Sequence, residues 1–245
     1  MTDPVFDARI AAIDASVDTG MHAPEVVAAT VKLLAELAGA GPALEFGIGT
    51  GRIAVPLHDS GVAVTGIDLS PHMVAKMRER PGSEDIDVVI GDIATTKVGG
   101  TFSLVFAIWN TFINLMTQEE QVSCFHNAAE HLRPGGYFVT DTMYPLPDLR
   151  RLPPGESVHA FSIEVDAVGF DQFDFLDQHI TSHHYWTKAD RLEHWASPCR
   201  YVWPSELDLM ARIAGLKLVD RWAGWNREPL TSESSAVISV WRKPG

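Results

Sequence analysis

Residues 43–57 read Ala43-Leu44-Glu45-Phe46-Gly47-Ile48-Gly49-Thr50-Gly51-Arg52-Ile53-Ala54-Val55-Pro56-Leu57. A short apolar run ends in three glycines at alternate positions, then gives way to apolar residues at helical spacing. The pattern predicts a strand, a tight turn and a helix N-terminus. Glycines so placed let backbone N–H groups approach a ligand with no Cβ in the way, and permit positive φ in the turn. The helix beyond offers unpaired N–H groups and a positive dipole end, which suit an anionic group. The stretch reads as a cradle for a nucleotide-type ligand.

On its N-terminal side, Phe6, Ile10 and Ile13 stand at helical spacing within residues 5–16. Residues 18–23 read as a loop, and Pro24 starts a second helix that Gly39-Ala40-Gly41-Pro42 stops. On its C-terminal side, strand and helix alternate. Residues 62–67 form a strand ending in Asp68, and Ser70-Pro71 starts a helix running to about Arg80. A strand over 86–90 ends in Gly91-Asp92, and another over 102–109 opens onto Asn110-Thr111-Phe112-Ile113-Asn114. Thr117 and Glu120 form a capping box for a helix to Leu132, and a fifth strand spans 137–142. After Pro145 the alternation stops. Residues 158–168, 178–186 and 192–200 are β-rich, with Lys188-Ala189-Asp190-Arg191 as one polar turn. A helix over 204–214 and strands over 216–222 and 236–241 close the chain.

Repeated strand–helix units predict an α/β fold, a doubly wound, mostly parallel seven-stranded sheet, with an inserted antiparallel β sheet and an antiparallel strand pair at one edge. The expected organisation is a single domain: an N-terminal helical lid (1–38), a ligand-binding core (40–145), the inserted sheet over the active site (155–202) and a closing segment (203–245).

The chain has 245 residues, 46% of them hydrophobic, and a formal charge of −13. Only 19 Lys and Arg residues are spread along it, which disfavours nucleic acid and a membrane surface as partners. No apolar run approaches a membrane span, and the N-terminus has no signal pattern, so the expected location is cytoplasmic. Cys124 and Cys199 are isolated and read as structural thiols in a reducing compartment.

Three features narrow the ligand. The glycines are spaced G-x-G-x-G, Glu45 stands just ahead of them, and Asp92 at the end of the third strand is placed to bond an adenine amino group. Asp68 can accept from ribose hydroxyls. Glu45 to Gly51, Gly66 to Pro71, Gly91 to Ile93 and Leu132 to Gly136 resemble, in order and spacing, the successive motifs of the class I S-adenosylmethionine-dependent methyltransferases, with a Rossmann-like fold. The resemblance implies S-adenosyl-L-methionine as cofactor. It implies that Gly47, Gly49 and Gly51 line the methionine moiety and that Glu45 orients that end. Asp68 would hold the ribose, Leu69, Met73 and Ile108 would pack the adenosine, and Asp92 and Ile93 would hold the adenine. Met73 reads equally as ordinary core.

Methyl transfer needs in-line approach of nucleophile to methyl, helped by exclusion of water. The N-terminal helix and the 18–23 loop are the candidate lid. Substrate contacts are expected from Trp109, Asn110, Asn114 and Tyr144, at the ends of the fourth and fifth strands. The N/D-P-P-[YF] signature of DNA and glutamine enzymes is absent. The insertion holds His179, His183, His184 and His194 among Tyr185, Trp186, Trp195, Tyr201 and Trp203. His179 and His183 share one strand face, His184 and Trp186 the other. His183 is the candidate base; a metal site with Asp177 or Glu193, and a plain surface role, are its alternatives, and no metal is expected. Arg200 and Arg227 border the same region.

The insertion looks like that of small-molecule methyltransferases, including amino-sugar N,N-dimethyltransferases. The sequence therefore points to methylation of an oxygen or nitrogen of a small metabolite, such as a sugar or natural-product intermediate. Alternatives are an S-adenosylmethionine-binding enzyme of another reaction type, a nicotinamide-dependent dehydrogenase, and a non-catalytic module. The inserted sheet is also a candidate homodimer surface.

Overall fold

A computed structural model describes residues 5–188 and 191–245. In chain order the elements are α1 (Ala8–Ser16), α2 (Pro24–Ala38), β1 (Ala43–Phe46), α3 (Ala54–Asp59), β2 (Val64–Asp68), α4 (Pro71–Met77), β3 (Asp87–Ile90), β4 (Phe102–Ala107), α5 (Gln118–His131) and β5 (Leu132–Met143). Then follow α6 (Leu146–Arg151), β6 (Val158–Ile163), β7 (Ala167–Asp174), β8 (His179–Lys188), β9 (Arg191–Arg200), α7 (Pro204–Ile213), β10 (Lys217–Trp222) and β11 (Ala236–Arg242). Single 3-10 turns occupy Gly20–His22 and Thr111–Asn114.

Local chemistry sets the boundaries. Asp7 caps α1 by accepting from the Arg9 and Ile10 N–H groups, and Ser70 caps α4 from Met73 N–H. The capping box of Thr117 and Glu120 opens α5 as expected. α3 begins two residues later than the sequence suggests, which leaves Pro56 in the first turn, where its missing N–H costs nothing.

The main sheet runs β10-β11-β5-β4-β1-β2-β3. β1 to β5 are mutually parallel, and β11 lies antiparallel between β5 and β10. Its central strands are apolar on both faces because helices cover both. Leu44, Phe46, Val105 and Trp241 pack one way, with α5 and α7. Ala43, Leu104, Phe106 and Val240 pack the other, with α2 and α3.

The second sheet, β6-β7-β8-β9, is wholly antiparallel. Two details differ from the sequence reading. A one-and-a-half-turn helix, α6, follows Pro145, and the 158–168 segment is a hairpin whose second strand continues to Asp174. The α6 segment is too short for its periodicity to register, and the alternation within β7 is diluted by Gly169 and two aspartates. Of the polar turn at 188–191, Ala189 and Asp190 lie outside the described residues. Among the described residues no helix is long and apolar enough to cross a membrane.

Candidate active site at the carboxyl ends of the parallel strands

The strand order reverses between β1 and β4, and ligands of doubly wound sheets sit where it does. A cavity of about 430 Å³ opens there, lined by the glycine loop, the ends of β2 and β3, the 111–116 segment, Val5 and Phe6 from the N-terminus, and Pro198 from the inserted sheet.

Gly47 and Gly49 both line it, with φ of 73° and 55°. A side chain on Gly47 would collide with Thr111, its Cβ only 2.3 Å from the Thr111 methyl, so the glycine lets the 3-10 turn close against the loop. Asp68 fastens the loop from below. One carboxylate oxygen accepts from Gly49 N–H at 2.7 Å, the other from Ser70 N–H at 2.8 Å. Leu69, Met73, Asp92, Ile93 and Asn114 complete the wall. Met73 is thus both buried core and cavity wall. Asp92 Oδ1 accepts from Ala94 N–H at 2.7 Å, which holds the turn after β3.

Glu45 stands behind the loop, 4% exposed, with its Oε2 buried and without a hydrogen-bond partner. Burial, and then the neighbouring Asp68 charge, push its carboxyl well above the usual carboxylate range. An orphaned acceptor beside a glycine cradle is the fit expected for a ligand ammonium group. Two expected contacts stand behind the wall. Gly51 packs on α4, where an added Cβ would lie 2.6 Å from Met77 Cγ, and Ile108 is in the core.

Trp109 and Asn110 follow β4 in left-handed conformation, φ 57° and 62°. Trp109 stacks on His22 at 4.9 Å between ring centroids, with the Arg52 guanidinium 5.4 Å over its ring. Burial, then the Arg52 charge, push the His22 imidazole below its ordinary value. Asn110 Oδ1 accepts from Met143 N–H, and Tyr144 meets Trp203 edge-on. None of Trp109, Asn110 or Tyr144 lines the cavity itself; Asn114 does.

The N-terminal segment bridges the two sheets. Arg52 donates to the Val17 and Asp14 carbonyls, Thr50 to the Asp14 carboxylate, and Ser70 to the Phe6 carbonyl. On the other side, Trp195 donates to the Val5 carbonyl at 3.4 Å, and Arg9 pairs with Glu193.

His183 is not brought to the cavity. It stacks on Phe170, with its Nδ1 3.1 Å from His194 Nε2, on the face of the inserted sheet opposite Trp195 and His184. Period-2 parity fixes that face, and single-sequence reading could not tell which face turns inward. Among the described residues no group of three or more His, Cys, Asp or Glu side chains is close enough to hold a metal ion. Cys124 and Cys199 are buried free thiols; burial pushes the latter up to about 12. The acid that sequence reading passed over is Asp141, buried in β5 beside Asn110. A lone carboxylate inside an apolar strand, as at Glu45, was the available signal.

A family described as a methyltransferase domain matches residues 43–136. Among solved structures, the CcbJ methyltransferase from Streptomyces caelestis is 35% identical with a TM-score of 0.86, covering 96% of each chain. CalS10 from Micromonospora echinaspora, described as an amino pentose methyltransferase and solved with S-adenosylmethionine bound, has a TM-score of 0.71 at 22% identity over 99% of each chain, a likeness of fold. The cypemycin N-terminal methyltransferase of a Streptomyces species is 27% identical over 198 residues, 80% of this chain and 81% of its own.

Proposed function

This chain belongs to the class I S-adenosylmethionine-dependent methyltransferases, and from that premise we propose that it methylates a nitrogen of a small-molecule acceptor. The observation that carries the reading is the cavity itself: two positive-φ glycines, Asp68 and Asp92 line one space at the strand tips, and the orphaned Glu45 oxygen is buried behind the glycine loop.

In this reading Gly47 and Gly49 admit the methionine moiety, and Glu45 accepts from its ammonium. Asp68 takes the ribose hydroxyls, Asp92 and the Ile93 N–H take the adenine edge, and Leu69 and Met73 pack the adenosine. The bound cofactor supplies an activated methyl on a sulfonium. The chain's own work is to orient, to exclude water through the N-terminal segment, and to present the acceptor.

Nitrogen is favoured over oxygen by the wall chemistry. An oxygen nucleophile wants a base, whereas an amine wants only its lone pair. The titratable side chains among the described lining residues are Asp68, Asp92 and Glu120. The first two have ligand roles in this reading, and Glu120 closes the capping box by accepting from Thr117 N–H. The cypemycin relative is described as an N-terminal methyltransferase, and KedS8, whose likeness is one of fold, as a sugar N-methyltransferase; both descriptions support the same reading.

The test is calorimetric titration with S-adenosylhomocysteine. Wild type should bind one equivalent, and Asp68→Ala should bind at least about thirtyfold more weakly, since charge-assisted hydrogen bonds are lost. Saturable binding that Asp68→Ala leaves untouched would sink the reading.

A further inference from the structure

Three strands of the inserted sheet place their side chains in rows across one face. Phe173, Ile180 and Cys199 form the first row and are buried in the main core. Asp171, Ser182 and Ser197 form the second, and Gly169, His184 and Trp195 the third. The fourth holds Trp186 and Glu193, which meet Arg9 of α1 by ring contact at 5.5 Å and ion pair at 3.3 Å. The face is therefore anchored to the core at one end and to the N-terminal segment at the other. Val5, whose carbonyl receives the Trp195 N–H, and Leu115 of the same core also line the cofactor cavity. The second and third rows span the gap between these anchors.

Resting on the methyltransferase reading, we propose that these two rows are the acceptor-recognition surface and that Asp171 binds an amino group of the acceptor. Asp171 is 7% exposed. Its Oδ1 accepts from Ser182 Oγ at 2.6 Å, while Oδ2 makes no hydrogen bond among the described residues. A buried carboxylate is costly to ionise unless it is paired; burial raises the Asp171 carboxyl, and the rows supply no fixed cation to pair it. Arg9, which reaches this face from α1, is engaged by Glu193. His159 stands opposite on β6. Burial holds the adjacent His184 below its ordinary value, and Asp148 of α6 adds like charge.

An ammonium or amine N–H donor from outside completes the set, and the chain's −13 charge draws such a ligand in. Beside the carboxylate, His184 lies 4.9 Å from the Trp195 ring and 5.2 Å from Phe161. Phe161 lies flush on Gly169, where an added Cβ would come within 2.2 Å of its ring. The recognised ligand class is thus a ring-bearing small amine: carboxylate for the nitrogen, aromatic edges for the ring.

The test uses paired probes on protein saturated with S-adenosylhomocysteine at pH 8, where ordinary histidines are neutral. D-Glucosamine is set against D-glucose, and piperidine against tetrahydropyran, with binding followed by ligand-observed NMR. The amine of each pair should bind at least about tenfold more tightly, and Asp171→Asn should abolish the preference. Ser182→Ala, which releases Oδ1 without removing the charge, should weaken amine binding by a few-fold. Unchanged S-adenosylhomocysteine affinity in both variants shows that the fold survives. Equal or undetectable binding of the amines, or an Asp171→Asn variant that keeps the preference, overturns the proposal. If S-adenosylhomocysteine itself fails to bind wild type, it is the cofactor reading that falls.

Discussion

Asp141 accepts the Asn110 backbone N–H at 3.2 Å, and the Asn110 side chain answers by accepting Met143 N–H at 2.6 Å. This reciprocal clamp ties the end of β4 to the end of β5. Trp109 and Asn110 both hold left-handed φ, a conformation that costs non-glycine residues roughly 1–3 kcal/mol each. The clamp offsets that cost, and so fixes the turn that leads to Asn114 on the cavity wall.

Asp141 makes stability depend on pH. Burial raises its carboxyl from the ordinary 3.8 to about 7, against hydrogen bonds from the Asn110 and Trp109 backbone. The folded chain thus keeps a proton that the unfolded chain releases over that interval. The stabilising effect is whole below about 3.8, falls as pH rises, and is gone above about 7. Asp141→Asn removes the titration. Wild type should lose up to about 4 kcal/mol relative to the variant between pH 4 and pH 8, read from urea midpoints. A gap that stays constant across that range contradicts the account.

Arg200 should be costly to remove. It donates to Gln121 at 2.6 Å and to Glu206 at 2.7 Å, with side chains only 7% and 15% exposed for the ion pair. Burial alone would raise the Glu206 carboxyl, but hydrogen bonds from Gln118, Gln178 and Arg200 outweigh it and hold the group below its usual range. Arg200→Met leaves Glu206 without its cation, and a loss of about 3–5 kcal/mol follows. Equilibrium urea unfolding measures it; a change below about 1 kcal/mol would mean that the pair is solvated as surface pairs are.

The N-terminal segment should loosen in Arg52→Ala. That variant loses both carbonyl contacts to residues 14 and 17 and the 3.5 Å pairing with Asp14. Limited proteolysis should cut between residues 5 and 23 at least several-fold faster. S-adenosylhomocysteine affinity should fall about tenfold as the cavity opens to water. Unaltered cleavage would show that the segment is held by its apolar contacts instead.

Glu45 should make cofactor binding pH-dependent. Its carboxyl is held up by burial and by Asp68, and an incoming ammonium favours the ionised form, so binding releases a proton. Affinity of wild type should rise with pH, and calorimetry in two buffers of different ionisation enthalpy should detect proton release. Glu45→Gln should bind more weakly and show neither effect. A Gln variant that still releases a proton would move the titration to another group.

The cradle was readable because its parts are contiguous. Glu45, the glycines, Asp68 and Asp92 each lie at or within two residues of the end of a strand, or in the turn that follows it, and strand termini follow from local periodicity and turn chemistry. The acceptor side was not readable in the same way. His183 and His184 are neighbours in sequence with the same chemistry, yet one meets the exposed His194 and the other faces Trp195. Asp141 escaped notice because its meaning lies in Asn110, thirty-one residues away.

The sequence by itself determined the strand–helix alternation, the glycine loop, the carboxylates at the strand tips and hence the cofactor. These depend on residues close along the chain and on one backbone period. Tertiary structure alone decided which face of the inserted sheet turns inward, that the N-terminal segment joins that sheet to the glycine loop, and that Asp171 sits in shelter beside Ser182. A one-residue change of register would invert each of those outcomes, and register is set by packing between distant elements.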